Sequence, residues 1–383
     1  MLHMRVAESR PAPAWRRLTA ESVAPYLLDH ELVTRRQLVD DGLAVAEFSR
    51  RNRSFRAANE HGVSYLLKQG VGTERALTVA NEASAYAFLH ARFGARDAGA
   101  FFPRRHAYDA DNNVLVMEFL RGAENLREYH TRTHRFPTGV AAQLGRAVAR
   151  VHALVPDWLT KPSDPPWALS ALQLPAVGFL REVSGSNLQL VKIIQEFPEY
   201  GRLLDTLRAG WAPQCLIHGD LKWENCVVFA RGAKTRKLKL VDWELATIGD
   251  PGWDVGSIFA DYLSYWVFSM PISGDADPGD FVKLAQWPLT RMQPAIDAFW
   301  QAYANGLGLD RAARQERLWR SVSYAGGRLV QTAFEHLQNS NFLTGPAVCL
   351  LQLSFNMMRR PSEAAVQLLG IPSEESWNTT LSF

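Results

Sequence analysis

A chain of 383 residues with 47% apolar and 21% charged side chains is long enough for two compact units and apolar enough to give each a core. Its formal net charge of +3 is small for that length, which argues against nucleic acid or a membrane surface as partner. Cys215, Cys226 and Cys349 form no CxxC pair, and "MLHMRVAESRPAPAWRR" has no apolar signal-peptide core, so a cytoplasmic chain with reduced, buried, inert thiols is expected.

In chain order, "TAESVAPYLLDHELV" predicts a short amphipathic helix opened by Thr19, with Glu21 in its first turn. "LAVAEF" and "VSYLLKQG" read as two strands joined by a polar turn that ends at Gly62. "ERALTVANEASAYAFLHARF" carries apolar residues at helical spacing, and "NVLVMEFL" is a further strand. Residues 43 to 120 therefore run strand, strand, helix, strand.

Beyond Arg121 helical periodicity dominates. Leu144, Val148, Val151 and Leu154 recur at three- and four-residue steps, and "SNLQLVKIIQEFPEYGRLLDTLRAG" looks similar. The prolines of "VPDWLTKPSDPPWALSALQLP" imply an irregular segment between these helices. Two short strands, "NCVVFA" and "KLKLVDWE", flank a turn at "RGAKTR", and most of the chain from Trp253 is helical. "VGSIFADYLSYWVFSMPISG" approaches bilayer length, but Asp261, a proline and four serines make it a buried helix, and "AVCLLQLSFNMM" is a core helix too short to span. The expected fold class is α+β, with a small β-rich lobe over residues 1–120 and a larger, mainly helical lobe over 121–383.

The chemistry concentrates in "HGDLKWEN" (218–225). Asp220 supplies a carboxylate, and Asn225, five residues on, supplies an amide oxygen for a hard cation. A predicted hairpin returns the chain to Asp242, after the apolar "LKLV". Two oxygen ligands and a further carboxylate suit phosphoryl transfer, in which magnesium neutralises phosphate charge and the free acid orients or deprotonates a hydroxyl.

Residues 218–225 and 240–244 resemble the catalytic and metal-binding loops of aminoglycoside phosphotransferase-like enzymes, within the protein-kinase-like superfamily. "GDPGWDVG" (249–256) fits as well. The resemblance covers residues 43 to about 270 and implies a bilobal protein-kinase-like fold using ATP and Mg2+. It implies Asp220 as catalytic acid, Lys222 as a neutraliser of the transferred phosphate, and Asn225 and Asp242 as metal ligands. It implies Asp254 as an anchor of the catalytic loop backbone, and it gives Trp223 a packing role. In the first lobe it implies Lys68 as the phosphate-binding lysine and Glu82 as its ion-pair partner. The hinge "LVMEFLRG" would contact adenine through the backbone at Glu118 and Leu120, with Met117 at the border of the pocket. One departure stands out: "EFSRRNRSFRA" (47–57) has no glycine where the family cradles phosphate, so Ser49, Asn52, Arg50, Arg51 or Arg53 is expected to use its side chain there, or the segment is a solvated turn.

For the acceptor, "HGDLKWENCVV", "LVDWELATIGDPGWDVGS", "FADYLSYW" and "RRNRSFR" also resemble phosphotransferases of class V lanthipeptide and thioamitide biosynthesis. That resemblance implies phosphorylation of Ser or Thr in a precursor peptide ahead of elimination by a partner lyase. Two alternatives stay open: a small-molecule kinase acting on an aminoglycoside, sugar or amino alcohol, and a pseudokinase scaffold that binds nucleotide or peptide without turnover. The acids of "SGDADPGD" (273–280) read as a solvated loop.

Overall fold

The computed structural model describes residues 17–48, 52–60, 62–157, 161–170, 172, 183–230, 236–272 and 278–372. Its packing resolves two units, Met1–Ala123 with Val241–Leu245, and Glu124–Leu240 with Ala246–Phe383.

The first unit is built on a five-stranded antiparallel sheet in the order β1-β2-β3-β5-β4. Its strands are β1 Ala44–Glu47, β2 Arg53–Ala58, β3 Ser64–Gln69, β4 Arg105–Asp109 and β5 Val114–Glu118. Two of these were not expected. The run taken for a polar turn contains β2, because Phe55 and Ala57 point into the core while Arg56 between them faces out. All five residues of β4 are half-buried, so it shows no alternation for a pattern to reveal. Thr19 caps the helix Ala20–Asp29 as expected, its Oγ1 accepting the Ser22 N–H at 3.3 Å. That helix lays Val23, Tyr26 and Leu27 onto Phe55, Ala57, Leu67, Val114 and Val116. Each side chain fully buried this way contributes about 1.5–3 kcal/mol. The helix Thr73–Phe101, kinked at Gly94 where φ is +70°, carries Glu82 in its straight first part.

The second unit is mostly helical, and two of its helix crossings are close enough to require glycine. A Cβ at Gly145, on the helix Thr138–His152, would lie 2.3 Å from the Phe299 carbonyl oxygen of the helix Gln293–Gly306. A Cβ at Gly256, on the helix Pro251–Phe268, would lie 2.6 Å from the Ser321 carbonyl oxygen and 2.7 Å from the Ala325 nitrogen of the helix Arg311–Leu337. "SNLQLVKIIQEFPEYGRLLDTLRAG" forms two helices, Gly185–Glu196 and Pro198–Ala209, because Pro198 starts a new helix instead of continuing the old one.

The expected hairpin strands are β8 Cys226–Ala230 and β9 Arg236–Leu240, joined at their edge by β6 Glu124–Asn125. A second small sheet pairs β7 Cys215–Ile217 with β10 Thr247–Gly249. These extra strands run only two or three residues, too short for a period to show. Among the described residues no helix is long and apolar enough to cross a membrane, and Pro251–Phe268 is buried along almost its whole length. Cys215 and Cys226 are buried, whereas Cys349 is only half-buried, so full burial does not hold for all three; burial raises each thiol pKa, which disfavours the thiolate.

Candidate active site

In the first unit β3 and the long helix bring Lys68 to Glu82. Lys68 Nζ donates to both Glu82 carboxylate oxygens at 2.9 Å and to Asp242 Oδ1 at 2.6 Å. Glu82 is fully buried and Asp242 about one-third exposed. Burial alone would lower the Lys68 pKa, but the two carboxylates outweigh it and hold the ammonium above its usual range. Burial pushes Glu82 up to about 7, against the pull of Lys68. Two acids facing one lysine leave a negative balance on the more exposed acid. Asp242 also takes φ +70°, uncommon for a residue with a side chain and typical of strain kept at functional sites.

In the second unit the loop that carries Asp220 leaves β7 through His218 and Gly219. Gly219 has φ +81°, a conformation that glycine adopts without the Cβ penalty. Asp254 fixes this turn: its Oδ2 accepts the His218 N–H at 2.6 Å and its Oδ1 the Gly219 N–H at 3.1 Å. His152 Nε2 lies 3.2 Å from Asp254 Oδ2, and its Nδ1 lies 3.0 Å from the Tyr303 hydroxyl. Burial acts to raise the Asp254 pKa, yet the His152 contact and these N–H donors bring it below the usual carboxylate range. Asp254 thus holds backbone, as expected.

Past that anchor, Asp220 meets two cations. Lys222 Nζ donates to Asp220 Oδ2 at 2.6 Å, and Arg328 Nη2, from the helix Arg311–Leu337, donates to Oδ1 at 3.2 Å. Asn225 Nδ2 donates to the Asp220 carbonyl at 2.9 Å, which identifies the other end of the amide as the oxygen available to a cation. Trp223 is fully buried among His130, Tyr262 and Tyr265, the packing role expected of it. Its backbone N–H donates to Asp261 Oδ2 at 2.6 Å, and burial lifts the Asp261 carboxyl to about 7. Arg127 bonds Glu224, reaches Asp261 Oδ1 at 3.5 Å, and lies 5.8 Å from the Trp223 ring centre and 6.0 Å from that of Tyr265.

The remaining expected residues are less straightforward. Ser49, Arg50 and Arg51 lie outside the described residues, as do residues 273–277 of the acidic loop. Asn52, a candidate phosphate contact, gives one of its two Nδ2 hydrogens to Glu244 Oε2 at 3.1 Å. Arg53 pairs with Glu47 at 3.0 Å. At the hinge the Glu118 N–H donates to the Arg104 carbonyl and the Leu120 carbonyl accepts the Ala123 N–H. The Met117 side chain is buried. Among the described residues no cluster of three His, Cys, Asp or Glu side chains forms a metal cage. Asp242 in the first unit and Asn225 in the second each carry a hard oxygen, the donor type that suits magnesium better than zinc.

Sequence reading missed Arg328, 108 positions from its partner. The available signal was one arginine inside the apolar run "YAGGRLV".

The family model of the phosphotransferase enzyme family matches residues 45–317, more than two thirds of the chain. The fold is similar to a choline kinase from Cryptosporidium parvum Iowa II at TM-score 0.54 and 11% identity, covering 92% of this chain and 98% of that one. It is also similar to an ethanolamine kinase from Plasmodium vivax, at TM-score 0.52 and 12% identity over 91% and 88% of the two chains. A glucosamine kinase solved with glucosamine, ADP and inorganic phosphate gives TM-score 0.51 and 16% identity, over 96% and 89%. The Mus musculus acyl-CoA dehydrogenase family member 11 is 33% identical over 70 residues, 18% of this chain and only 8% of that protein's length. The architecture is the bilobal α+β fold of these kinases, and the chain belongs to the phosphotransferase enzyme family.

Proposed function

We propose that this phosphotransferase moves the terminal phosphoryl group of ATP, with Mg2+, onto the hydroxyl of a Ser or Thr side chain in a precursor peptide, ahead of elimination by a partner lyase. The observation that carries the transfer chemistry is Asp220 held by Lys222 at 2.6 Å on a loop fixed by Asp254. Asp220 would orient the acceptor hydroxyl and take its proton as the acceptor oxygen bonds to phosphorus and the bond to ADP breaks. Lys222 would offset charge on the transferred group. Lys68, fixed by Glu82, would bind the donor phosphates, and the Glu118 and Leu120 backbone would meet adenine. Asp242 and Asn225 are the side-chain oxygens assigned to magnesium, whose contribution is to neutralise phosphate charge.

The peptide acceptor is supported by the resemblance around "HGDLKWENCVV" and by the lysine two positions after the acid. The test is intact-mass analysis after incubating the chain with magnesium ATP and either a Ser/Thr-rich precursor peptide or a panel of aminoglycosides, sugars and amino alcohols. Phosphate on the peptide is the expected result. Phosphate on a small molecule alone would overturn the peptide reading, and nucleotide binding without any product would favour the scaffold.

A further inference from the structure

Asp254 and Asp261 stand about two turns apart on the helix Pro251–Phe268, so their side chains leave the same face. Asp254 accepts the His218 and Gly219 N–H groups at 2.6 and 3.1 Å. Asp261 Oδ2 accepts the Trp223 N–H at 2.6 Å. Trp253, on the same helix, donates its Nε1–H to the Gly219 carbonyl at 3.2 Å. One helix therefore ties the loop before Asp220 and again after Lys222. At about 1.5 Å per residue the two carboxylate positions lie about 10 Å apart along the helix axis. The chain from Gly219 to Trp223 reaches about 14 Å when fully drawn out. That leaves Asp220 little slack, and Leu221 beside it is fully buried.

The second of these anchors is a costly one. The Asp261 side chain is only 13% exposed, and burial pushes its carboxyl up to about 7, so ionising it weakens the fold. Arg127 offsets part of that cost, its Nη2 lying 3.5 Å from Asp261 Oδ1. The same guanidinium bonds Glu224 through its Nε and lies against the Trp223 and Tyr265 rings. Arg127 thus reaches the loop at Glu224 directly and at Trp223 through Asp261. A carboxylate that costs stability and yet orders one loop has its use in that loop.

We infer that Asp261 is a positioning residue for phosphoryl transfer: with Asp254 it holds the loop at both ends and so fixes where the Asp220 carboxylate stands. This rests on the proposed role of Asp220 as the residue that meets the acceptor hydroxyl. Asp261 acts through the Trp223 backbone, so its effect falls on kcat and not on nucleotide affinity. A misplacement of about 1 Å at a reacting group can cost about 10²-fold in rate.

Three variants separate reach from charge. Asp261→Leu removes the acceptor oxygen, Asp261→Asn keeps it at the same reach without the charge, and Asp261→Glu keeps the charge but sets it one methylene further out. Each is compared with wild type using magnesium ATP and a Ser/Thr-rich peptide, glucosamine and ethanolamine in parallel, read on the acceptor that the wild type phosphorylates. Asp261→Leu is expected to lower kcat by about 10- to 100-fold while KM for ATP stays within about threefold. Asp261→Asn is expected to recover most of that loss, and Asp261→Glu to recover less of it than Asn does. Turnover of Asp261→Leu within about threefold of wild type, or a loss carried by KM for ATP with kcat kept, would overturn the inference while leaving phosphoryl transfer intact. Should Asp261→Leu not fold, the other two decide: kcat of Asn above that of Glu supports the positioning role, and an equal or reversed order overturns it. No transfer to any acceptor by the wild type, despite magnesium-dependent ATP binding, would sink the Asp220 reading and this one with it.

Discussion

Asp254→Ala removes a carboxylate that is 1% exposed and leaves the His218 and Gly219 N–H groups without their acceptor and His152 without its acid. Hydrogen bonds to a charged acceptor contribute about 1.5–3 kcal/mol each, and each buried donor left without its acceptor costs about 1–3 kcal/mol. We take about 3–5 kcal/mol as the whole effect, because the same desolvation underlies both figures. At about 2–4 °C per kcal/mol for a unit of this size, the melting temperature should fall by about 6–20 °C. Asp254→Asn keeps one acceptor oxygen and should lose about half as much. The Asp254 pKa is lowered in the fold, so its stabilisation is present above the unfolded carboxylate pKa and is lost as pH falls. The difference between wild type and variant should therefore be full at neutral pH and shrink below about pH 4. Thermal unfolding at several pH values, with hydrogen exchange at the two loop amides, measures both consequences. A melting temperature within about 2 °C of wild type, or unchanged exchange at His218 and Gly219, would refute this account of the anchor.

Asp220→Asn should keep the fold and nucleotide affinity but slow phosphoryl transfer by about 10²- to 10⁴-fold in single-turnover assays, and unchanged turnover would end its catalytic assignment. Asp242→Ala should abolish the magnesium dependence of nucleotide binding seen by calorimetry, and a wild type that binds equally with and without magnesium would remove that assignment. Gly256→Ala should destabilise the second unit by about 1–3 kcal/mol, because its Cβ would push on the backbone of the facing helix, and an unchanged melting temperature would show that the helices separate freely. Asp261 binds its proton more tightly in the fold than in the unfolded chain, so it costs stability as pH rises from about 4 to about 7. Asp261→Asn should flatten that part of the melting-temperature profile, and an identical slope would place the effect elsewhere.

The grouping of Asp220, Lys222 and Asn225 was legible because the three lie within six residues, and the Thr19 cap because it is a local signal. The Lys68–Glu82 pair, 14 residues apart, was reached through family resemblance, and the contact has the expected form. Elements shorter than one period were lost: β6, β7 and β10 give a pattern nothing to repeat. β2 was hidden for another reason, since its two arginines, Arg53 half-buried and Arg56 exposed, made the strand look like a polar turn. Arg328 and Arg127 escaped because buried ion pairing is a property of tertiary contact. A lone arginine in an apolar run signals that a partner exists without naming it.

The segment Val241–Leu245 belongs to the first unit although the chain on both sides of it belongs to the second. During synthesis the ribosome releases Lys68 and Glu82 more than 150 residues before Asp242, and Asn52 and Asn81 long before Glu244, to which both donate. The nascent first unit therefore waits with a buried lysine facing one acid instead of two. A gene fragment ending after the hinge would stay in that state permanently. Lys68 can thus reach its final setting only once most of the polypeptide exists, which ties assembly of the first unit to completion of the rest.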